Sequence, residues 1–430
     1  MMTEQMSLTV AGSRLAGLYA SMRERLQSAG LGLVDQALTG ARQFVVLLIA
    51  SFLMSKEAFA DFAIINVASL LLTQLPNYVI RLPMLVLAGS TFSKDQDNYI
   101  SYIRWLDAGL SMGAGLLVGA YLYVRFERIG AVPIFLFIGM CLATNMLEIN
   151  RRGLYMARRA DIACRGSLVA LITASGGLAV VHLWLPLNLA LALAIQVLSI
   201  CAGVALCWRG PFFPQRSQVV TFRNIVLAHQ PYAGWELLGG TLLWSSTNGL
   251  ILFGAKLLTA EEIGAFRLLT SLCGLITLPV LVTEMLLTTR ASERFYRQGR
   301  AGLAQWLHAM DAQLGRLLIP YLLLTTISCW IFVRVVFSSK YPDSRFMLPI
   351  FIAHMSLTIL PATRSIALRA MTLQRVVCAS ELGRGVTCLA FCVLAFALHS
   401  ALALISAVAF GSLAFLVGQW RSTERELLSR

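Results

Sequence analysis

The chain is built from long apolar runs separated by short polar segments, and the runs have the length of membrane-spanning helices. A helix crossing a bilayer needs about 20 predominantly apolar residues. Twelve stretches qualify, at 29–54, 59–88, 101–124, 129–149, 166–184, 187–207, 230–254, 264–288, 317–337, 346–361, 378–398 and 401–420. Runs such as 242–258 are continuous and do not alternate between faces, which excludes the strands of an outer-membrane barrel. The pattern predicts an all-α polytopic membrane protein.

Polar residues inside these runs fall on helix faces. In the first span Asp35, Gln36, Thr39, Arg42 and Gln43 are spaced to share one side, and in the second Asn66, Ser69, Thr73, Asn77 and Arg81 form another stripe. The seventh carries Glu236, Gly239, Gly240, Trp244, Ser246, Thr247 and Asn248; the eighth carries Arg267, Thr270, Gly274, Thr277 and Glu284. Ser, Thr and Gly at such positions serve close helix packing. An ionisable group costs roughly 2.5–3.5 kcal/mol at mid-bilayer, so Asp35, Arg42, Arg81, Glu236 and Arg267 are expected to face a cavity or a partner. Asp107 in the third span has Arg104 close by as a competing explanation.

Composition agrees. Of 430 residues 58% are hydrophobic and 13% charged, with a mean hydropathy of +0.74, whereas soluble domains carry about a quarter charged residues. The spans use nearly the whole length, which leaves no room for a large soluble catalytic head. A net charge of +14 would raise nucleic acid as a partner in a soluble protein. Here the charge sorts by membrane side instead, and no nucleic-acid partner is expected. With twelve spans, and with Arg104 and Arg384 near span ends counted to the side they adjoin, 25 Lys and Arg fall on one side and 6 on the other, leaving Arg42, Arg81, Arg267 and Arg334 within spans. By the positive-inside rule the rich side, with both termini, is cytoplasmic.

Catalytic and metal signatures are absent from the sequence. The nine cysteines contain no C-x-x-C pair, the five histidines are scattered, and there is no phosphate-cradling loop, nucleophile elbow or H-E-x-x-H. The chain is expected not to be an enzyme and to need no metal or cofactor.

The organisation reads as two halves. Residues 1–28 repeat Leu8, Ala11, Leu15, Leu18, Met22 and Leu26 at helical spacing, an amphipathic helix on the cytoplasmic leaflet; Leu303, Trp306, Leu307, Met310 and Leu314 repeat the theme. Pro211 and Pro214 mark a cytoplasmic linker over 209–229 between an N-lobe at 29–208 and a C-lobe at 230–420, followed by a tail at 421–430. The segment from Leu53 to Phe62 aligns without gaps with Leu257 to Phe266 at a constant offset of 204, each bridging the first two spans of its half. Six spans per half give both copies the same direction through the membrane. The most polar helices are therefore the duplicated ones, which predicts a hydrophilic cavity between the lobes.

The run Gly30-Leu31-Gly32-Leu33-Val34-Asp35-Gln36-Ala37 resembles the start of polysaccharide flippases of the multidrug/oligosaccharidyl-lipid/polysaccharide exporter superfamily. So does the turn Leu53-Met54-Ser55-Lys56-Glu57-Ala58-Phe59-Ala60, with the second span ending Arg81-Leu82-Pro83. The resemblance implies about twelve helices in two six-helix MATE-like lobes, lined by spans one, two, seven and eight. It also implies a lipid-diphosphate-linked oligosaccharide moved across the cytoplasmic (inner) membrane by alternating access. A proton or sodium ion is the candidate coupling ion, and polymerase or assembly proteins are candidate partners.

The residues fit that chemistry. Arginine forks bind phosphates bidentately, assigning the diphosphate to Arg42, Arg81 and Arg267; Gln36, Gln43 and Asn77 suit the sugar. Asp35, Glu236 and Asp107 are the candidate coupling-ion carboxylates. Two alternatives remain: a cation-coupled multidrug antiporter, whose site should favour carboxylates and aromatics over arginines, and a non-transporting scaffold of a polysaccharide synthase. A major-facilitator transporter should carry a basic signature after span two, and Gly89 to Asn98 does not match it.

Overall fold

The computed structural model describes residues 30–428, apart from 33, 89–90, 158, 210, 212, 216, 218–219, 338 and 372. The amphipathic segment expected at 1–28 lies outside the described residues. Helix α1 runs Gly30–Leu53. It is followed by α2 Lys56–Pro76, α3 Leu82–Leu87, α4 Gln96–Arg125, α5 Ala131–Met156, α6 Ala160–Trp184 and α7 Leu189–Cys207. The second half comprises α8 Phe222–Thr247, α9 Gly249–Gly254, α10 Ala260–Gly274, α11 Leu278–Phe332, α12 Ser344–Ile359, α13 Ala362–Ala370, α14 Gln374–Leu398 and α15 Ala401–Leu428. Helix α11 breaks at Gly299, whose φ of 65° only glycine adopts freely.

Among the described residues ten helices are long and apolar enough to cross a membrane. The other two expected spans fall on α8 with α9, and on α10 with the start of α11; both are interrupted helices. Their polar residues lower the hydropathy, and Asn248 and the tight turn Leu275–Thr277 divide them. Several helices run past the sequence-derived ends, as α5 does to Met156 and α14 from Gln374. An arginine ends an apolar run without ending a helix.

The internal repeat marks a pair of helix starts. Ser55 Oγ accepts from Ala58 N at 3.2 Å to cap α2, and Thr259, its counterpart, caps α10 in a reciprocal box with Glu262. Phe59, Phe62, Ile263 and Phe266 are buried just beyond the caps. There α2 packs on α10, with Gly264 allowing the Phe59 and Tyr341 rings to approach.

The first-half helices pack mainly on one another, as do the second-half ones; α2 also meets α8, α9 and α10. At the end bearing few basic residues, Lys56 pairs with Glu261 across the halves. Lys340 donates to the carbonyls of Ser51 and, at 2.8 Å, of Met54, so a cation closes the C-terminal end of α1. Burial and the neighbouring Lys56 pull the Lys340 ammonium below the usual lysine range. At the other end Tyr78 lies against Gly240, where any Cβ would strike its ring.

The expected linker over 209–229 is shorter in the structure, because α8 already begins at Phe222, and the connection that remains is held on α4. Asn98 donates to Gln215 O at 3.1 Å, Ser101 to Pro211 O at 2.9 Å, and Arg104 to the carbonyls of Arg209 and Pro211. In α11, Leu303 and Leu307 are buried against Ile366, Ala367 and Leu368 of α13. That segment therefore packs on protein with the face expected to meet lipid.

Candidate functional site

A proline in α2 begins the site. Pro76 has no N–H to give to the carbonyl of Leu72, and Asn145 Nδ2 of α5 takes that carbonyl at 3.0 Å. After Pro76 the helix widens over Asn77–Arg81, and Arg81 Nη1 reaches back to Thr73 O at 3.4 Å. The wide turn aims Arg81 inward, where Nη2 lies 3.3 and 3.4 Å from the Asp107 carboxylate and also donates to Asn145 Oδ1. Asn145 donates in turn to Ser111 at 2.6 Å. Arg81 and Asp107 are almost fully buried.

Beside this pair lies a second one. Asp35 is fully buried and accepts from Arg151 Nε at 2.9 Å and from the Tyr155 hydroxyl. Arg151 also donates to Glu148, one turn earlier on α5. Buried Arg42 lies within electrostatic reach of Glu148 and Arg151. Arg152 joins the two groups, donating to Asn77 Oδ1 at 2.6 Å and lying close to Glu148, Arg81 and Asp107. Four arginines thus face three carboxylates inside the first half, and the network carries one positive charge in excess. Asp35 Oδ1 is buried and accepts no hydrogen bond among the described residues.

Five expected site residues, Asp35, Arg42, Asn77, Arg81 and Asp107, come together in this network. Asp35 bonds Arg151 of α5, whereas Arg42, two turns further along α1, is within electrostatic reach of Glu148 on the same α5. Gln36 and Gln43 lie on an adjoining, exposed face of α1 and do not join them. Arg267 stands apart, its Nε and Nη2 donating to Asn66 Oδ1 at 2.9 and 2.6 Å across the halves. It is buried, and among the described residues no carboxylate lies within ion-pair distance. Glu236 is half-buried in a small pocket with Tyr78, Gly240, Arg369, Gln374 and Glu381. The Glu284 side chain lies outside the described ones. Ser69, Thr73, Thr247 and Thr270 return their hydroxyls to carbonyls of their own helices, in keeping with a packing role.

Sequence reasoning missed Asn145, Glu148, Arg151 and Arg152 as one constellation and assigned both arginines to a cytoplasmic connection. Arg104, Arg364 and Arg384, assigned likewise, are also buried in helices. The available signal is Glu-x-x-Arg beside an apolar run, which places opposite charges one turn apart. It occurs at Glu148/Arg151 and again at Glu381/Arg384 of α14. Buried Arg384 stacks over Phe415 at 4.0 Å, and His354 nearby shares a 2.6 Å hydrogen bond with Ser412.

With this geometry the chain resembles solved transporters along almost its whole length. A MOP superfamily transporter from Pyrococcus furiosus, described by the reverse polarity of its binding pocket, superposes with a TM-score of 0.65 at 10% identity. The match covers 94% of this chain and 95% of that one. An outward-facing multidrug resistance MATE family transporter gives 0.64 at 11% identity over 95% and 96%. A Vibrio cholerae MATE transporter gives 0.61 at 12% over 95% and 97%. No family model and no curated protein sequence matches. At such identities the likeness establishes the fold: this is a multi-pass, all-α membrane protein with a MATE-like fold.

Proposed function

We propose that the protein is an alternating-access transporter of the cytoplasmic membrane that flips a lipid-diphosphate-linked oligosaccharide from the inner to the outer leaflet for surface polysaccharide biosynthesis. The observation that carries this reading is the excess of arginine over carboxylate in the buried network of the first half, with Arg267 uncompensated at the junction. A cationic interior suits a diphosphate and repels an organic cation. In this scheme Arg42, Arg81 and Arg267 meet the diphosphate in turn as it crosses, because Arg267 sits at Asn66, about 22 Å of helix from Arg81, and Asp107 is the internal anion that keeps Arg81 neutralised before substrate arrives. Gln36, Gln43 and Asn77 serve the sugar. Asp35, whose Oδ1 is unoccupied, or Glu236 takes the coupling proton or sodium ion.

The competing reading is a cation-coupled multidrug antiporter, favoured by Glu236 and Glu381 beside Tyr78 and Trp235 and by the multidrug transporters among the fold relatives. Deleting the gene and complementing with wild type or Arg42→Ala separates the two. Loss of surface polysaccharide with inner-leaflet intermediates accumulating, rescued only by wild type, is the expected result. Unchanged polysaccharide with new sensitivity to organic cations would favour the antiporter.

A further inference from the structure

A second cavity lies outside the network and outside the junction between the halves. It is an open groove with a volume of about 450 Å³, lined by α8, α14 and α15 at the end of the molecule that carries most of the arginines. Its polar rim includes Arg375 at the start of α14 and Arg425 near the end of α15. Both are exposed, and among the described residues neither has a carboxylate within 4.0 Å. Glu426, the acidic residue of the rim, is already paired with Arg300. The opposite wall is apolar: Trp235 and Leu238 from α8 and Leu382 from α14, each about half exposed.

From Leu382 the apolar wall continues away from the arginines. Leu382, Val386, Leu389 and Val393 recur at steps of four, three and four along one face of α14, and each is more than half exposed. In a membrane-crossing helix such a stripe faces lipid tails. One face therefore offers two cations at the depth of the headgroups, an aromatic ring at the interface, and an acyl-length apolar track below. Basic pockets between transmembrane helices bind anionic headgroups.

We propose that this groove is a binding site for an anionic phospholipid of the leaflet at the arginine-rich end. The lipid phosphate sits between Arg375 and Arg425, and one acyl chain lies along Leu382, Val386, Leu389 and Val393. The site is independent of the transported cargo. It fastens α8, a helix of the junction between the halves, to α14 and α15, so the bound lipid acts as a structural staple on the second half.

The full-length protein, purified and placed in nanodiscs of phosphatidylcholine or of phosphatidylcholine with phosphatidylglycerol, tests this by native mass spectrometry and thermal melting. Wild type is expected to retain phosphatidylglycerol and to melt higher in its presence. Arg375→Gln/Arg425→Gln should bind it about 30-fold more weakly, with an unchanged melt in phosphatidylcholine alone. Leu382→Trp, which fills the groove and keeps both arginines, should also lose the lipid. Inorganic phosphate alone should produce neither effect. Undiminished phosphatidylglycerol retention by both variants, equal retention of phosphatidylcholine, or an equal shift with inorganic phosphate would overturn the proposal.

Discussion

Arg81 illustrates how a costly residue is made tolerable and kept usable. Its guanidinium is held by Asp107, Asn145 and the Thr73 carbonyl, an arrangement that exists because Pro76 leaves a gap in the backbone ladder of α2. Taking away one member of such a buried pair strands the other charge and costs about 3–5 kcal/mol, whereas replacing both with apolar residues of similar size is often close to neutral. Arg81→Met and Asp107→Leu are each expected to lower the thermal midpoint strongly, and the double variant to recover much of the loss. Equal and additive losses in a thermal melt would show that the two residues are not energetically coupled. Individual charged positions were legible because ionisable residues in apolar runs stand out. Their partners were less so: Arg151 and Arg152 read as loop arginines, since the apolar run ends just before them and only the fold brings Asp35 to meet them.

At the scale of elements, the repeat was legible as a motif and its physical content is a pair of capped helix starts. Ser55 and Thr259 set the first turns of α2 and α10, which then pack on each other. Lys56 and Glu261 pair beside these caps, and Lys340 grips the end of α1. The proposed alternating access requires this end to part. In an otherwise cysteine-free background, Lys56→Cys/Glu261→Cys treated with a thiol-reactive bis-methanethiosulfonate that spans the length of the lost side chains should cross-link and stop transport, with reductant restoring it. Transport at the normal rate while cross-linked would mean that the halves do not separate there. The interruptions of α8/α9 and α10/α11 were not legible, because hydropathy reports a burial-competent stretch and not the local backbone breaks at Asn248 and Leu275–Thr277. The amphipathic stretch after Gly299 shows the same ambiguity: Leu303 and Leu307 satisfy helical spacing equally well against lipid or against α13.

The whole molecule combines a fold shared with MATE transporters and an interior whose sign is set by arginines. The all-helical, many-span character was readable because the bilayer imposes one length on every crossing helix, although ten of the twelve expected spans are long and apolar enough among the described residues. The charge of the interior was partly readable, since arginines within spans are visible in sequence while their neutralisation by particular carboxylates is a product of packing. The most direct test of an anionic cargo is transport by the purified protein in proteoliposomes, offered either a fluorescent lipid-diphosphate oligosaccharide or a fluorescent organic cation. The account predicts that the diphosphate crosses between leaflets, that the cation does not, and that Arg42→Ala, if folded, abolishes the movement. Transport of the cation with the diphosphate left in place would contradict it.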